Sequence, residues 1–362
     1  MSTPSTIIDL PWLVQSLSPT SQEQFARVFR LTSTVGQLVP PQVMHSWIEN
    51  YFGSLDAVTT QKIVKLTNVV TWEGALFNDL RARRPLEVRD HSNVREAIQG
   101  NGSGPFGRPS EGTPEDVFGR VQGRHSITAS NIAKYDGFHG LVIFDEHNPL
   151  RFDRDSVSDY LDTALEWAKK AHASDPSARY FFFMWNCLWK SGASIVHGHA
   201  QMTLTRDMHY AKVEALRQAA LAYRQRYGSN YFDDLVAIHH EMGLTFGNGT
   251  ARGMAYLTPI KEKEVLLIAD AITDDLKDEI HHVLCTFTQE LNVLSFNLAL
   301  YMPPLVAPDH EDWSGFPVIV RLVDRGDLGS KAADFGGMEL YAQSVIGTDP
   351  FFVARNLRRN GC

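Results

Sequence analysis

The sequence predicts a globular protein of mixed helices and strands. Its 362 residues are 43% hydrophobic, which is enough to build a substantial core. Short apolar runs rich in aromatic and branched residues predict buried strands, and charged amphipathic segments predict covering helices. The order strand, helix, strand, strand occurs twice. The length fits two average domains or one domain of two similar halves, and the repeated order favours the second.

The first 70 residues are predicted to form a helical extension. The segments "SQEQFARVFRLTSTV" and "PQVMHSWIENYF" have helical spacing, and Thr20 or Ser21 is a suitable N-cap. A segment rich in Gly, Pro and Ser at residues 90–116 predicts a loop. Residues 71–225 are then the first half of the main fold, and residues 226–362 the second.

Each half has its own predicted elements. In the first half, "HGLVIFDE" (139–146) and "RYFFFMWN" (179–186) are predicted strands, and "DRDSVSDYLDTALEWAKKAHA" between them is a predicted helix. In the second half, the corresponding segments are "AYLTPIKEKEVLLIA", the helix "DDLKDEIHHVLCTFTQELNVL", and the strands "FNLALYM" and "FPVIVRLVD".

Composition and charge exclude several kinds of protein. A formal net charge of −8 argues against a nucleic-acid groove, because phosphate backbones are bound mainly by clustered Lys and Arg. No apolar run approaches the length of about eighteen residues expected for a membrane span, and the N-terminus lacks the pattern of a signal peptide. We therefore expect a cytoplasmic protein. The three cysteines lie far apart, which predicts neither a disulfide framework nor a Cys-x-x-Cys metal site.

The segment "KSGASIVHGHAQMTLT" (190–205) carries the strongest chemical signal. A strand sends alternate side chains to opposite faces, so His197, His199 and Gln201 would share one face while apolar residues occupy the other. The small residue Gly198 between the two histidines would let a second layer approach closely. One face therefore fits a core, and the other fits a site.

The turn before this strand suits an anionic phosphate. Its residues "KSGAS", beginning at Lys190, offer backbone N–H groups, hydroxyls and one ammonium group. An imidazole can attack phosphorus and form a covalent intermediate, while a neighbouring amide holds the phosphoryl oxygens without acting as an acid. Two alternatives remain open at this point: the histidines form hydrogen bonds on a strand surface, or they bind a metal.

At these positions the chain resembles the transferase branch of the histidine triad superfamily, whose motif is His-x-His-x-Gln. The stretch "NCLWKSGASIVHGHAQ" is similar to the signature Asn-x7-Ser-x2-His-x-His-x-Gln of galactose-1-phosphate uridylyltransferases, and "KSGAS" also resembles dinucleoside tetraphosphate phosphorylases. Three further segments extend the resemblance over roughly residues 70–360: "LFNDLRARRP", "ITASNIAKYDGFHGLVIFDEHNP" and "GGMELYAQSVIGTDPFFVARNLR".

The resemblance implies a fold and an assembly. The fold is α+β and histidine-triad-like (HIT-like), with two similar halves that form an open antiparallel half-barrel sheet and helices packed outside. A homodimer is expected, with residues of the second subunit completing the site.

The resemblance also implies roles for individual residues. His199 is the nucleophile that carries the nucleoside monophosphate, Gln201 binds its phosphoryl oxygens, and His197 supports the strand. The remaining predicted contacts are with phosphate, nucleoside or sugar, and they come from Asn186, Ser194, Lys190, Arg81, Arg84, Asn131 and Glu339. Asn131 would approach the nucleoside and Glu339 a sugar hydroxyl. The run "RARR" leaves the register of the arginines open, and Arg83 is an alternative.

Two departures from the family pattern concern metals. Relatives often have Cys-Pro-Phe-Cys where this chain has "GPFG", so Gly104 and Gly107 replace two zinc thiolates. The other two family ligands, His147 and His197, are retained, but two imidazoles alone make a poor structural zinc site. The second half also lacks its His-x-His, with "WSGFPVIV" in its place. We therefore predict that the protein binds no structural zinc and needs no cofactor, and that His139 and His147 form ordinary hydrogen bonds.

The implied activity is nucleotidyl transfer from a nucleotide sugar to a hexose 1-phosphate, in carbohydrate metabolism. One alternative is a phosphorylase that uses inorganic phosphate to cleave a nucleotide sugar or dinucleoside polyphosphate. Another, from a different class, is a nucleotide-binding protein without turnover. The expected partners are small molecules, with no nucleic acid and no membrane. The base and the sugar are left open.

Overall fold

The structure is a computed structural model that describes residues 5–78, 80–81, 96, 98, 104–247, 249–330 and 335–358. The strands are β1 (Phe29–Gln37), β2 (Thr60–Asn68), β3 (Gly74–Phe77), β4 (Ser126–Ser130), β5 (Phe138–Phe144), β6 (Ala178–Cys187), β7 (His199–Arg206), β8 (Thr245–Phe246), β9 (Arg252–Ala255), β10 (Glu262–Ala269), β11 (Phe296–Tyr301), β12 (Val318–Asp324) and β13 (Ser344–Ile346).

The helices lie between these strands and at the ends of the chain. They are α1 (Leu10–Ser16), α2 (Pro19–Val28), α3 (His45–Phe52), α4 (Leu55–Thr59), α5 (Pro109–Gly112), α6 (Arg154–Ser174), α7 (Ala211–Tyr227), α8 (Tyr231–Glu241), α9 (Asp274–Gln289), α10 (Gly337–Tyr341) and α11 (Pro350–Leu357). Within the described residues, no helix is long and apolar enough to cross a membrane.

The N-terminal segment is a mixture of helix and strand, so the prediction of a purely helical extension was wrong. The helix α2 ends at Val28, and the chain continues directly into β1, which pairs antiparallel with β2 over nine residues. The N-cap of α2 is Ser18, whose hydroxyl accepts from the N–H of Ser21. The run after Val28 contains Thr and Val, which favour strands, and pairing with β2 overrides its helical spacing. The smaller sheet has the order β1-β2-β3-β13.

The larger sheet has nine strands in the order β4-β5-β7-β6-β11-β12-β10-β9-β8. All its neighbouring strands pair antiparallel, and its two edge strands do not meet, so the sheet is open. The set β4, β5, α6, β6, β7 has the same order as β9, β10, α9, β11, β12, and the two sets meet where β6 pairs with β11. The predicted α+β fold with two similar halves is therefore confirmed. The division between residues 225 and 226 stays a prediction, and it falls in the last turn of α7.

The two faces of the larger sheet carry different kinds of residue. One face carries the apolar alternate residues and packs against α6 and α9. Gly140 on β5 has to be glycine for this packing, because a Cβ there would lie 2.7 Å from Cε2 of Trp167 on α6. The other face carries His199 and Gln201 on β7, together with Asn186 on β6. The predicted alternation of side chains along β7 is present, and the assignment of the second face as a site stays a prediction.

A buried ion cluster joins the smaller sheet to the second half. Arg321 on β12 lies between Glu264 on β10 and Glu73, which precedes β3; its Nη1 donates to Glu73 at 2.6 Å and its Nε to Glu264 at 2.7 Å. The hydroxyl of Tyr256 also donates to Glu73 at 2.8 Å. Burial raises the pKa of Glu264, and the charge of Arg321 opposes this rise. One guanidinium group thus neutralises charge from both sheets.

The Arg321→Met substitution should lower the free energy of unfolding at neutral pH by about 3–5 kcal/mol, because it leaves buried carboxylates without their cation. Urea denaturation monitored by tryptophan fluorescence measures the change. Arg252→Met is a matched control: its ion pair with Asp233 is exposed, so its effect should be much smaller. Equal effects of the two substitutions would contradict the importance of the buried cluster.

Candidate active site

His199 is the first residue of β7, and a single hydrogen bond fixes its ring. Its Nδ1 lies 2.8 Å from the carbonyl oxygen of His197. A carbonyl can only accept, so Nδ1 carries the proton and Nε2 keeps its lone pair. Among the described residues, no hydrogen bond reaches Nε2. Burial lowers the pKa of His199, so its ring is neutral at pH 7. This is the state in which an imidazole is a nucleophile.

His197 supports the strand through two hydrogen bonds. Its Nε2 donates to the carbonyl oxygen of Phe144 at 2.8 Å, which leaves Nδ1 as an acceptor. The Nδ1 of His147 lies 3.2 Å from the Nδ1 of His197 and donates to it. The two histidines thus form a hydrogen-bonded pair beside His199.

At the zinc position that the resemblance implies, the residues present do not fit a structural zinc ion. Gly104 precedes the turn Pro105–Gly107, and Gly107 is its last residue; neither glycine offers a side-chain ligand. Only the imidazoles of His147 and His197 remain, and a structural zinc site normally has four ligands. In the part of the chain that the structure describes, no three His, Cys, Asp or Glu side chains are grouped to hold a metal.

Gln201 is oriented by His139 on the neighbouring strand β5. Its Oε1 lies 3.0 Å from the Nε2 of His139. On the other side of the same ring, Nδ1 accepts from the N–H of Tyr135 at 3.0 Å. The amide nitrogen of Asn131 is 3.2 Å from the Nε2 of His139, so Asn131 lies beside this pair.

Phe106 forms a lid over the two motif histidines. Its ring meets the ring of His199 edge to face at a centroid distance of 5.1 Å, and that of His197 at 6.1 Å. It belongs to a small apolar cluster on the site face, formed with Ile127, Ala129, Leu141, Ile143 and Ile195. This cluster removes water from around His199 and is a cause of its lowered pKa.

Asn186 lies on β6, the other neighbour of β7. It is two residues beyond Met184, the partner of Gln201, and therefore on the same face of the sheet. Its Oδ1 accepts from the amide nitrogen of Asn297 at 2.7 Å, which leaves its own amide nitrogen as a donor. Arg325 in turn donates to the Oδ1 of Asn297. The structure thus brings Asn186 together with His199 and Gln201.

The loop between β6 and β7 holds two further predicted residues. Lys190 is half-buried in the turn Trp189–Ser191, and Ser194 is exposed between that turn and the motif. Gly192 ends the turn with a φ of 96°, which favours glycine. The predicted tight turn before the histidines is therefore present.

Arg81 and Glu339 lie in segments next to the smaller sheet. Arg81 is exposed after β3, and Glu339 lies in α10, where its carboxylate accepts from the N–H of Gly336 at 3.0 Å. Arg81 follows β3 and Glu339 precedes β13, and these two strands pair with each other in the smaller sheet. Within the described ranges, no contact joins either residue to the cluster around His199. Arg83 and Arg84 lie outside the described residues.

Three residues around His199 were not predicted to take part. His139 was expected to be an ordinary hydrogen-bonded histidine, Phe106 was noted only beside the glycines, and Asn297 was not singled out. Two of them have a signal in the sequence. His139 lies two residues before Leu141, so both side chains are on the same face of the predicted strand. Asn297 is the amide residue within the apolar run "FNLALYM". The contact of Phe106 has no such signal.

Comparison with known proteins rests on solved structures. An ADP-glucose phosphorylase from Arabidopsis thaliana has 19% sequence identity and a TM-score of 0.60, over 80% of this chain and 96% of that chain. A GalT-like protein from Arabidopsis thaliana has 17% identity and a TM-score of 0.59, over 81% and 97%. A uridylyltransferase has 17% identity and a TM-score of 0.56, over 81% and 96%.

The chain has the fold of these GalT-like structures. The predicted resemblance is therefore confirmed at the level of the fold. No protein-family model matches the sequence, and no curated protein matches it. Within this GalT-like fold, the roles of the site residues stay predictions.

Gly198→Ala should destabilise the site end of β7. A Cβ at residue 198 would lie 2.7 Å from Cδ2 of Phe144 and 2.9 Å from the backbone oxygen of Glu146. Such overpacking should lower the free energy of unfolding by about 1–3 kcal/mol, measurable by chemical denaturation. Gly137→Ala is the control, because a Cβ there meets no atom within 4 Å. A Gly198→Ala protein as stable as that control would contradict the close packing.

Proposed function

We propose that this protein is a nucleotidyltransferase in which His199 carries a nucleoside monophosphate as a covalent intermediate. The observation that carries this proposal is the fixed ring of His199. Its Nδ1–H is bound to a backbone carbonyl, and its neutral Nε2 lies on the site face beside Gln201 and Asn186. A nucleophile needs this combination of a held ring and an uncommitted lone pair.

The proposed reaction has two displacements at phosphorus. In the first, the lone pair of His199 Nε2 attacks the α-phosphorus of a nucleotide sugar, and the bond to the sugar 1-phosphate oxygen breaks with its electron pair. In the second, a phosphate oxygen of the acceptor attacks the same phosphorus and the P–N bond returns its pair to His199. The amide groups of Gln201 and Asn186 are donors for the charge on the phosphoryl oxygens.

The first proposed acceptor is a hexose 1-phosphate, as in galactose-1-phosphate uridylyltransferases, which would place the enzyme in carbohydrate metabolism. The second candidate is inorganic phosphate, which would make the enzyme a nucleotide-sugar phosphorylase. This second candidate is favoured by the likeness to an ADP-glucose phosphorylase and by the "KSGAS" turn. Both candidates use the same intermediate on His199 and differ only in the second step.

We also propose a homodimer. The hairpin of β1 and β2 ends in exposed apolar side chains: Val39 is 96% exposed and Val43 87%, and Trp47 and Tyr51 follow at helical spacing. Contiguous exposed apolar surface is typical of protein interfaces. In the homodimer that the resemblance implies, residues of the second subunit would complete each site. The cytoplasmic location stays a prediction.

Incubation with nucleotide sugars labelled at the α-phosphorus tests the proposal. Wild type should take up label that is acid-labile and alkali-stable, as a phosphoramidate is, and His199→Ala should take up none. His310→Ala is the matched control, because His310 is exposed and remote in sequence from the motif; it should label like wild type. Hexose 1-phosphate and inorganic phosphate are then added separately to the labelled protein. The compound that removes the label is the acceptor.

Two outcomes would contradict the proposal. Equal labelling of wild type and His199→Ala would place the intermediate elsewhere. Thermal stabilisation by nucleotides without any labelling would favour a nucleotide-binding protein that does not turn over.

A further inference from the structure

His139 is fully buried on β5, and its hydrogen bonds involve both ring nitrogens. Residue 139 lies opposite Thr203 in the pairing of β5 with β7, so its side chain is on the site face. The ring lies between the backbone N–H of Tyr135 and the side-chain oxygen of Gln201, each at 3.0 Å. It has no part in the two displacements at phosphorus described above.

We propose that His139 is a positioning residue that holds the amide of Gln201 with its NH₂ end directed to the phosphoryl group on His199. The inference rests on the proposed function, because it assigns Gln201 the task of donating to that group. It adds a residue through which Gln201 is oriented.

The direction of the hydrogen bonds follows from the backbone. The N–H of Tyr135 can only donate, so Nδ1 of His139 is the acceptor and the ring proton is on Nε2. That proton requires an acceptor, and Oε1 of Gln201 supplies it. The tautomer of His139 therefore decides which end of the Gln201 amide faces the histidine, and the NH₂ end is left for the ligand.

The surroundings of His139 keep its ring in this state. The ring of Tyr135 stacks on it at a centroid distance of 4.4 Å. Lys134 donates to the carbonyl oxygen of His139 at 3.1 Å and forms an ion pair with Asp116 at 3.6 Å. Burial is the largest cause that lowers the pKa of His139, and the charge of Lys134 lowers it further, so the ring is neutral at pH 7.

Asn131 offers no acceptor to the Nε2 proton of His139. Its Oδ1 accepts from the N–H of Ala133 at 3.1 Å, which directs its NH₂ group towards the Nε2 of His139. Two N–H donors 3.2 Å apart do not form a hydrogen bond with each other. The NH₂ group of Asn131 thus leaves Oε1 of Gln201 as the acceptor for His139.

The orientation matters because the two ends of a glutamine amide are similar in size and opposite in hydrogen bonding. With the NH₂ end towards the phosphoryl group, Gln201 donates to an anionic oxygen. With the amide reversed, Oε1 would face that oxygen and repel it. Without His139 both orientations are available, and the reactive one is no longer selected.

Three substitutions of His139 separate orientation from packing. Gln places its side-chain nitrogen near the position of Nε2 and can still donate to Gln201, whereas Asn is too short and Ala has no donor. We expect His139→Asn and His139→Ala to lower the rate of label transfer to His199 by about 10- to 100-fold, with nucleotide Kd nearly unchanged. His139→Gln should recover most of the rate. Thermal unfolding of all three reports any general loss of structure.

The outcomes distinguish this inference from the proposed function. If wild type takes label and His139→Asn labels as fast, or if His139→Gln is no faster than His139→Ala at equal stability, positioning by His139 is overturned. If nucleotide binding weakens to a similar extent in all three variants, with a higher Kd in each, the role of His139 is structural and positioning is also overturned.

A second measurement does not depend on turnover. It tests the contact between His139 and Gln201 even if wild type takes no label and the proposed function fails. ¹⁵N-histidine NMR should show the proton of His139 on Nε2, and Gln201→Ala should shift that nitrogen. A proton on Nδ1, or a spectrum unchanged by Gln201→Ala, would remove the orienting contact itself. If Gln201→Ala shifts the Nε2 resonance of His139 but the protein does not transfer nucleotides, the hydrogen bond between His139 and Gln201 exists. Its proposed role in catalysis is then overturned.

Discussion

The hydrogen bond from Nδ1 of His199 to the carbonyl oxygen of His197 decides which nitrogen of the ring can react. Because a carbonyl oxygen is an obligatory acceptor, the bond fixes both the tautomer and the direction of the ring. The proposed chemistry depends on this one contact, since a freely rotating imidazole would present Nε2 to the substrate only part of the time. The groups around residue 197 hold its carbonyl oxygen in place.

Several features hold that carbonyl. The ring of His197 is bound to the backbone of Phe144 and to His147, so the residue cannot turn. Gly198 allows the chain to pass close to Phe144, and its own N–H donates to the carbonyl oxygen of His147 at 2.9 Å. Backbone and side-chain groups of the protein therefore form the hydrogen bonds at this end of β7.

Much of the main fold could be predicted because its periodicities are strong. The predicted helix over residues 153–173 corresponds to α6, and "RYFFFMWN" corresponds to β6, since buried aromatic runs and amphipathic charge patterns are local properties. The strand β1 was missed because its structure depends on pairing with β2, about thirty residues away. Which strands are neighbours in the larger sheet is also a tertiary property, and the resemblance implied only an open antiparallel sheet of two similar halves.

The site was predicted in part for the same reason. Alternation along β7 placed His199 and Gln201 on one face correctly. The bond between His139 and Gln201 crosses from β5 to β7, and the contact of Phe106 crosses from a loop, so neither has a local pattern. Motif resemblance placed Arg81 and Glu339 at the site, and that assignment stays a prediction.

The most direct test of the account is to find which nitrogen forms the bond to phosphorus. A trapped intermediate prepared with ¹⁵N-labelled histidine can be studied by ³¹P and ¹⁵N NMR after the modified peptide has been identified by mass spectrometry. The account predicts a single phosphoramidate on Nε2 of His199. A bond to Nδ1 of His199, or to any other residue, would contradict it.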